Sequence, residues 1–564
     1  MRIKQIRIER YRGIRSLEWC PEERTACLLG AGDSTKTTIL DAIELALSPR
    51  WNVPINDADF FGAKAQEPII ITVTIGELPG TLVTEGKYGL ELRGWDKDGK
   101  LKDEPEGEDE AVLTIRFSVD ETMEPSWVVV NDRKPEGRSI SARDREALGV
   151  VRLGVEIDRH LAWGRGSALS RNTETLEGVG LVLAAAHREA RDMVKKASLA
   201  QLGAAAERAK EAAIQMGVRV MGQYRPGLDA GFGAGGVGPI SLHEDDIPVR
   251  LAGLGTRRLV ALALQALAVK AGGILLVDEV EHGLEPHRLR HLLQVLNEAS
   301  GQSQGQVFMT THSAVPLEEL PAKCLHIVRS DEGTTTVTRV GSELQDLVRR
   351  GPEALLGRKV LVCEGKTELG ICRALQMYWA ALHQDLPITH TGTVFTCGSG
   401  QTAPKTAEQL ARLGYATALL ADSDKPLEPN EAVLAKAGVD VITWAGKTAT
   451  EERIGADLPL ASLREVVELA ISIRGEQSVL DAIGNRLPTQ KPPEGTDPEC
   501  WLQEGLSRDQ VGHAIGQAAK QGKWFKRTDL GEELGLIIKK ALPAIVGTDL
   551  EVKLSQVASW IYGE

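Results

Sequence analysis

An apolar run, a glycine-rich turn, a lysine, a hydroxyl and an apolar-periodic stretch follow one another in TACLLGAGDSTKTTILDAIELAL, residues 25–47. No other feature constrains the fold as much. Strand, turn and helix in this order place a row of backbone N–H groups at a helix N-terminus, where they can wrap a phosphate. Gly30 and Gly32 permit the tight turn, and Asp33, Ser34 and Thr35 complete it. Lys36 is set to reach the β- and γ-phosphates of ATP, and Thr37, followed by Thr38, to hold Mg²⁺. Thr35 stands where the usual loop has glycine, so its N–H serves a phosphate only if the local dihedral angles permit it.

The complement to this loop lies far along the chain. In GGILLVDEVEHGLEPHRLRHLLQVL, residues 272–296, an apolar strand ends in Asp278 and Glu279. Asp278 is placed to orient Mg²⁺, and Glu279 to polarise an attacking water. A further apolar strand, QVFMTTHSAV at 306–315, ends in Thr311, His312 and Ser313, and His312 is a candidate sensor of the γ-phosphate. VRLAGLGTRRLVALALQAL, residues 249–267, opens on a flexible turn and continues as an amphipathic helix. Gly253, Gly255 and Thr256 would present that helix N-terminus to an anion, with Arg257 and Arg258 adding charge. The segment resembles the signature motif of ABC-type ATPases. In that family the signature loop of one subunit closes on the nucleotide of another, which implies a dimer or higher oligomer with composite ATP sites, a homodimer being expected.

The rest of the first half is read from periodicity. RIKQIRIERYRGIRSLEW alternates with period two and predicts a hairpin turning at Tyr11, Arg12 and Gly13. IIITVTIGEL, AVLTIRFSV and SWVVVND read as strands, and KDGKLKDEPEGEDEA as a loop. HLAWGRGSALSR at 160–171 is a turn around Gly166, with Arg165 and Ser167, that serves either a nucleotide or the scaffold. Residues 178–217, rich in Ala, Lys, Arg and Glu, predict a helical hairpin or dimerisation arm, and GLDAGFGAGGVGPISL a flexible link back to the core.

Bulk properties narrow the class. A chain of 564 residues with 42% hydrophobic content holds two to four domains of ordinary globular composition. The basic, alternating start is no signal peptide, and no apolar run is long enough to span a membrane. The 7 scattered cysteines read as reduced thiols of a cytoplasmic protein. A net charge of -13 argues against a nonspecific DNA coat while leaving room for a local basic channel.

The second half carries a different chemistry. GRKVLVCEGKTELGICRAL, residues 357–375, reads strand, turn, helix, with Glu364 at the strand end and Glu368 at the helix start. YATALLADSDKP, residues 415–426, is a second apolar strand, ending in Asp422 and Asp424. In a parallel sheet these ends share one edge, where the acids would repel unless they bound divalent cations. Oxygen-only ligands suit Mg²⁺ or Mn²⁺.

This arrangement resembles the Toprim fold of topoisomerases, primases and certain nucleases. With the ATPase motifs before it, nearly the whole chain is similar to the overcoming-lysogenisation-defect (OLD) family of nucleases. The resemblance implies an α/β plan: an ABC/SMC-like P-loop ATPase split by a helical dimerisation insertion, then a Toprim domain with helical elements. The expected boundaries are 1–174 and 241–350 for the ATPase, 175–240 for the insertion and linker, 351–460 for Toprim and 461–564 for a C-terminal helical part. By match to the family motif, Glu364, Glu368, Asp422 and Asp424 would hold two metals, with Glu451, beside Glu452, as the further acid. The family's lysine falls on Lys526 or Lys523, with Lys526 preferred on motif position. The implied activity is a metal-dependent DNA endonuclease or nickase using ATP and Mg²⁺ or Mn²⁺, in phage defence or DNA processing, with a helicase among the conceivable partners. The rival is a DNA-structural or sensor ATPase whose acids bind metal without cutting. Toprim primer synthesis is a further rival, which no zinc-finger-like cysteine motif supports.

Overall fold

The structure, a computed structural model, describes residues 1–563 except 33, 50–52, 155–156, 164–166, 174–199, 219, 229–239, 303–304 and 504. The chain forms two units, Met1–Ser342 and Glu343–Glu564.

Unit 1 is built on a 14-stranded sheet. The half that carries the Lys36 loop is parallel, in the spatial order Val150–Leu153, Ile274–Val277, Gln306–Thr310, Thr25–Leu29, Leu325–Asp331. Ile274–Val277, Gln306–Thr310 and Thr25–Leu29 are buried along their whole length, as parallel strands covered on both faces must be. The three strand ends singled out by sequence are therefore neighbours on one sheet edge. The other half is antiparallel. Arg2–Tyr11 and Ile14–Trp19 form the expected hairpin, with Tyr11 opposite Ile14, and Ile69–Gly76 and Glu110–Val119 follow alongside. Ile3, Ile6 and Ile8 point into the core. Lys4 is buried as well, paired with Glu110, because a register shift between Ile3 and Gln5 breaks the strict alternation.

Two expectations for unit 1 need correction. Within the predicted acidic loop, Leu101–Lys102 pairs with Arg93–Trp95, so part of it is strand. The predicted flexible link is flanked by Tyr224–Leu228 and Ile240–Glu244, which pair antiparallel in a separate 3-stranded sheet. The turn residues Arg165 and Gly166 and residues 229–239 of the link lie outside the described residues, as does 178–199 of the predicted arm; Ala200–Gln215 of the arm is helix.

Unit 2 has a 4-stranded parallel sheet in the order Thr393–Cys397, Lys359–Cys363, Ala416–Ala421, Val439–Thr443. The C-terminal helices do not stand apart from it. One core joins Leu361, Ala418 and Ile442 of the sheet to Trp501, Trp524, Phe525 and Ile538 of the helices. Helix Lys366–Leu382 meets helix Thr528–Ala541 through glycine: a Cβ on Gly370 would lie 2.4 Å from the Thr528 carbonyl oxygen. That close crossing brings the chain just before Thr528 beside the first turn of the Lys366 helix. Among the described residues no helix is long and apolar enough to cross a membrane.

Candidate functional site

In unit 1 the loop after Thr25–Leu29 closes on itself. The Lys36 ammonium donates to the carbonyl oxygens of Gly30 (2.9 Å) and Ala31 (2.8 Å) and to Ser34 Oγ (3.1 Å). Gly30 has φ 149° and must be glycine, since a Cβ there would sit 2.5 Å from the Val328 carbonyl oxygen. Thr35 adopts φ 67°, ψ 12° as the residue before helix Lys36–Leu47. This left-handed conformation explains the usual glycine at the position and costs a β-branched residue about 1–2 kcal/mol. The threonine is accommodated because Gly13 opposes it: a Cβ there would meet the Thr35 methyl at 3.2 Å. Gly32 has open space around it, and Asp33 lies outside the described residues.

Asp278 meets this loop from the strand end two places along, with Gln306–Thr310 between. Its Oδ1 accepts from Thr37 Oγ1 (3.1 Å) and Thr310 Oγ1 (2.6 Å). Glu279 follows at φ 45°, with its N–H donating to Thr310 Oγ1 and its side chain half-exposed, 3.6 Å from His282 Nδ1. His312 is exposed, and its backbone N–H donates to Glu281 Oε1 at 2.7 Å. Gly253 caps helix Leu254–Lys270, and Gly255 packs on the Gly283 carbonyl just beyond Glu281. The two arginines of the GLGTRR segment divide their roles. Arg257 pairs with Asp158 at 2.7 Å. Arg258, fully buried, donates to the carbonyl oxygens of both Asp278 and Glu279 at 2.6 Å. It thereby ties the signature-like helix to the carboxylate turn.

In unit 2 the carboxylates also gather. The Asp422 N–H donates to Glu364 Oε2 at 2.8 Å, joining the ends of two neighbouring strands. Asp422 Oδ1 accepts from both the N–H and the hydroxyl of Thr450 at 2.8 Å, which draws in the helix carrying Glu451. Glu368 caps its own helix, Oε2 accepting from the Gly365 N–H at 2.8 Å; among the described residues its Oε1 has no hydrogen-bond partner of good geometry. Both Glu451 oxygens are buried without a hydrogen bond of good geometry, with the Lys526 ammonium 3.1 Å from Oε1.

Burial, then the charge of Asp422, pushes the Glu368 carboxyl up to about 7. Burial and Asp422 raise Glu364 too, and burial and Glu451 raise Asp422. Burial opposes the charge on Lys526, but Glu451 and Glu368 outweigh it and raise its pKa. Asp424 is drawn away to Lys520, at 2.9 Å, an ammonium it shares with Glu452 at 2.9 Å. Lys523 ends helix Arg508–Gly522 in a left-handed conformation with its side chain exposed, so the fold brings Lys526 rather than Lys523 to the acids. Among the described residues no group of three or more His, Cys, Asp or Glu side chains is arranged to hold a metal ion.

Unit 1 has an ATPase-like α/β fold, with the Lys36 loop and the Asp278 turn on one parallel sheet edge. Residues 191–318 match the model of a family described as "AAA domain, putative AbiEii toxin, Type IV TA system". That stretch contains Asp278, Glu279 and the GLGTRR segment. Among curated proteins no sequence matches the chain. Similar solved structures include an Smc head bound to the C-terminal winged-helix domain of ScpA (TM-score 0.38, 15% identity, 61% of this chain and 98% of the other). Another is an SMC head domain from Thermotoga maritima (0.31, 15%, 60% and 100%). A third is an Smc head with an extended coiled coil bound to the C-terminal domain of ScpA from Pyrococcus furiosus (0.38, 14%, 61% and 98%). Scores this low carry no weight for the fold.

Several residues that matter to these sites gave no sequence signal of their own. Thr310 and Glu281 flank motif positions and were legible only as neighbours. Lys520 sits in the last turn of a helix, where a lysine is ordinary. Arg152 is a single arginine in an apolar strand, and its burial is itself the clue, because an arginine is almost never buried unpaired.

Proposed function

We propose that unit 1 binds and hydrolyses ATP, and that the protein works on DNA as a sensor or structural ATPase. One observation carries this reading: the Lys36 loop and Asp278, on neighbouring parts of one sheet edge, are joined through Thr37. A hydroxyl and a carboxylate with only oxygen donors suit Mg²⁺, so Thr37 and Asp278 would hold the ion that accompanies ATP. That ion would neutralise charge on the phosphates. Lys36 would leave its carbonyl partners for the β- and γ-phosphates, which are stronger acceptors. Glu279, free of the sheet and half-exposed, would take the proton of the attacking water. His312 would sense the γ-phosphate through a position fixed by Glu281. Gly253, Gly255 and Thr256 of one copy would close on the nucleotide of a second, making the working unit a homodimer.

A second reading, a Toprim-type nuclease of the OLD kind, is favoured by unit 2. Glu368 Oε1 and the Glu451 carboxylate, buried and faced by the single Lys526 ammonium at 3.1 Å from Glu451 Oε1, suit a cation. Glu364, Glu368, Asp422, Asp424 and Glu451 would hold up to two Mg²⁺ or Mn²⁺ ions. These ions would stabilise the attacking and leaving oxygens of a phosphodiester. Lys526 would offset charge on the scissile phosphate. Asp424 would first have to exchange Lys520 for a metal. The sensor reading stands first because it asks nothing of unit 2 beyond its present arrangement. A helicase partner and a role in phage defence belong to the second reading.

A paired assay on one preparation separates the readings: plasmid conversion with Mg²⁺ or Mn²⁺, and phosphate release from ATP with and without DNA. DNA-stimulated hydrolysis with intact plasmid supports the sensor. Cleavage lost in Asp422→Ala, with ATP hydrolysis unchanged, supports the nuclease. Hydrolysis indifferent to DNA, together with intact plasmid, would remove DNA from both.

A further inference from the structure

We infer that Arg152 is a positioning residue for Asp278, fixing which carboxylate oxygen faces the magnesium–nucleotide; the inference rests on the ATPase reading of unit 1. Arg152 lies on Val150–Leu153, the sheet-edge neighbour of the strand that delivers Asp278, in register with Leu276. Its side chain is 8% exposed, and three acids surround it. Nη2 reaches Asp278 Oδ2 at 3.4 Å. Nη1 pairs with Asp41 Oδ1 and lies 3.5 Å from Glu44 Oε2, both on the helix that Lys36 begins. Asp41 in turn pairs with Arg12, whose Nε donates to Asp59 Oδ1 at 2.8 Å.

The two oxygens of Asp278 thus have separate tasks. Oδ2 faces the guanidinium, while Oδ1 faces the hydroxyls of Thr37 and Thr310. A carboxylate held at one oxygen cannot rotate freely, and the oxygen it presents is then set by its anchor. Arg152 is also clamped from the helix side by Asp41. The phosphate-loop helix and the Asp278 strand are therefore linked through the charge of one buried cation. If Arg152 only neutralised buried acids, its loss would lower stability without a specific effect on magnesium.

The test uses the full chain and a fluorescent ATP analogue, titrated in excess EDTA and then across a Mg²⁺ series, with thermal melting alongside. Arg152→Met should raise the half-saturating Mg²⁺ roughly tenfold, the scale of losing a partner that orients a metal ligand. Affinity in EDTA should stay within about twofold, because Lys36 and the loop amides are untouched. Arg152→Lys should recover most of the shift by restoring the charge. Asp41→Asn, which frees Arg152 without touching Asp278, should shift Mg²⁺ dependence in the same direction by less. An unshifted Mg²⁺ curve in Arg152→Met, an equal loss of binding in EDTA, or no recovery by lysine would overturn the inference. If Arg152→Met does not fold, an unshifted Asp41→Asn overturns it instead. A wild type that binds no nucleotide under any condition sinks the ATPase reading and this inference together. Binding by wild type with unshifted variants sinks this inference alone.

Discussion

Asp278 and Asp422 both follow an apolar strand of a parallel sheet, yet their surroundings are opposite in kind. Asp278 is met by two hydroxyls and a guanidinium. Each of these partners donates to the carboxylate or pairs with it as a cation. Asp422 is met by Thr450 on one side and by Glu364, Glu368 and Glu451 on the other. There the donors are too few for the acids, and protonation is favoured. The first site is stable as it stands and awaits a ligand that brings its own negative charge. The second is frustrated as it stands, with Lys526 and Lys520 as its cations. On the proposed readings, the difference separates a phosphate cradle from a cluster that would gain from an added cation.

The sharpest way to break the comparison is at Glu279. Glu279→Gln keeps the shape and the Asp278 anchor but removes the proton acceptor. ATP hydrolysis should fall by at least about 100-fold, the usual worth of a general base, while ATP binding persists. Phosphate release and nucleotide retention on the same sample check this. Retained hydrolysis would move the base elsewhere.

A smaller effect is expected in unit 2, and it depends on pH. A Glu368 carboxyl raised from 4.5 to about 7 holds its proton more tightly folded than unfolded. Its contribution to stability is therefore full below about pH 4.5 and is lost as pH rises through about 7. Melting in EDTA should show this decline, and Glu368→Gln should flatten it and raise the melting temperature at pH 8. Added Mn²⁺ should stabilise the wild type at pH 8 more than the variant. An unchanged pH profile in Glu368→Gln would mean that the cluster is not frustrated.

The smallest effect concerns Thr35. Thr35→Gly relieves a left-handed β-branched residue, but glycine has more freedom to lose on folding. The net change should be a stabilisation of no more than about 1 kcal/mol, with ATP affinity within about twofold. A clear loss of stability in denaturant titration would show that the Thr35 hydroxyl, 3.4 Å from Thr335, and its methyl against Gly13 outweigh the strain.

How much of this was legible in the sequence differs between the regions for a physical reason. Lys36, Thr37, Asp278 and His312 occupy ends of strands whose apolar runs are unmistakable, and a parallel sheet aligns such ends automatically. The hairpin at Gly13 was equally legible from alternation. What sequence could not give was pairing at a distance. Arg152 with Asp41, Arg258 with the Asp278 carbonyl, and Lys520 with Asp424 depend on which helix packs on which strand. Motif position favours Lys526 over Lys523 but supplies no physical reason for the choice. They separate because Lys523 terminates its helix while the following residues turn inward, with Trp524 and Phe525 buried. The predicted link at 227–242 misled because a run of glycines outweighed the two short flanking strands that pair with each other.

The central claim is that the Lys36 loop is a working ATP site despite Thr35, and equilibrium binding of ATP to wild type and to Lys36→Ala tests it most directly. The loss of a charged donor to phosphate is worth about 1.5–3 kcal/mol, so the variant should bind roughly 10- to 100-fold more weakly, with its melting curve in the absence of nucleotide little changed. Equal affinity in the two proteins, or no binding by wild type with Mg²⁺ present, would contradict it.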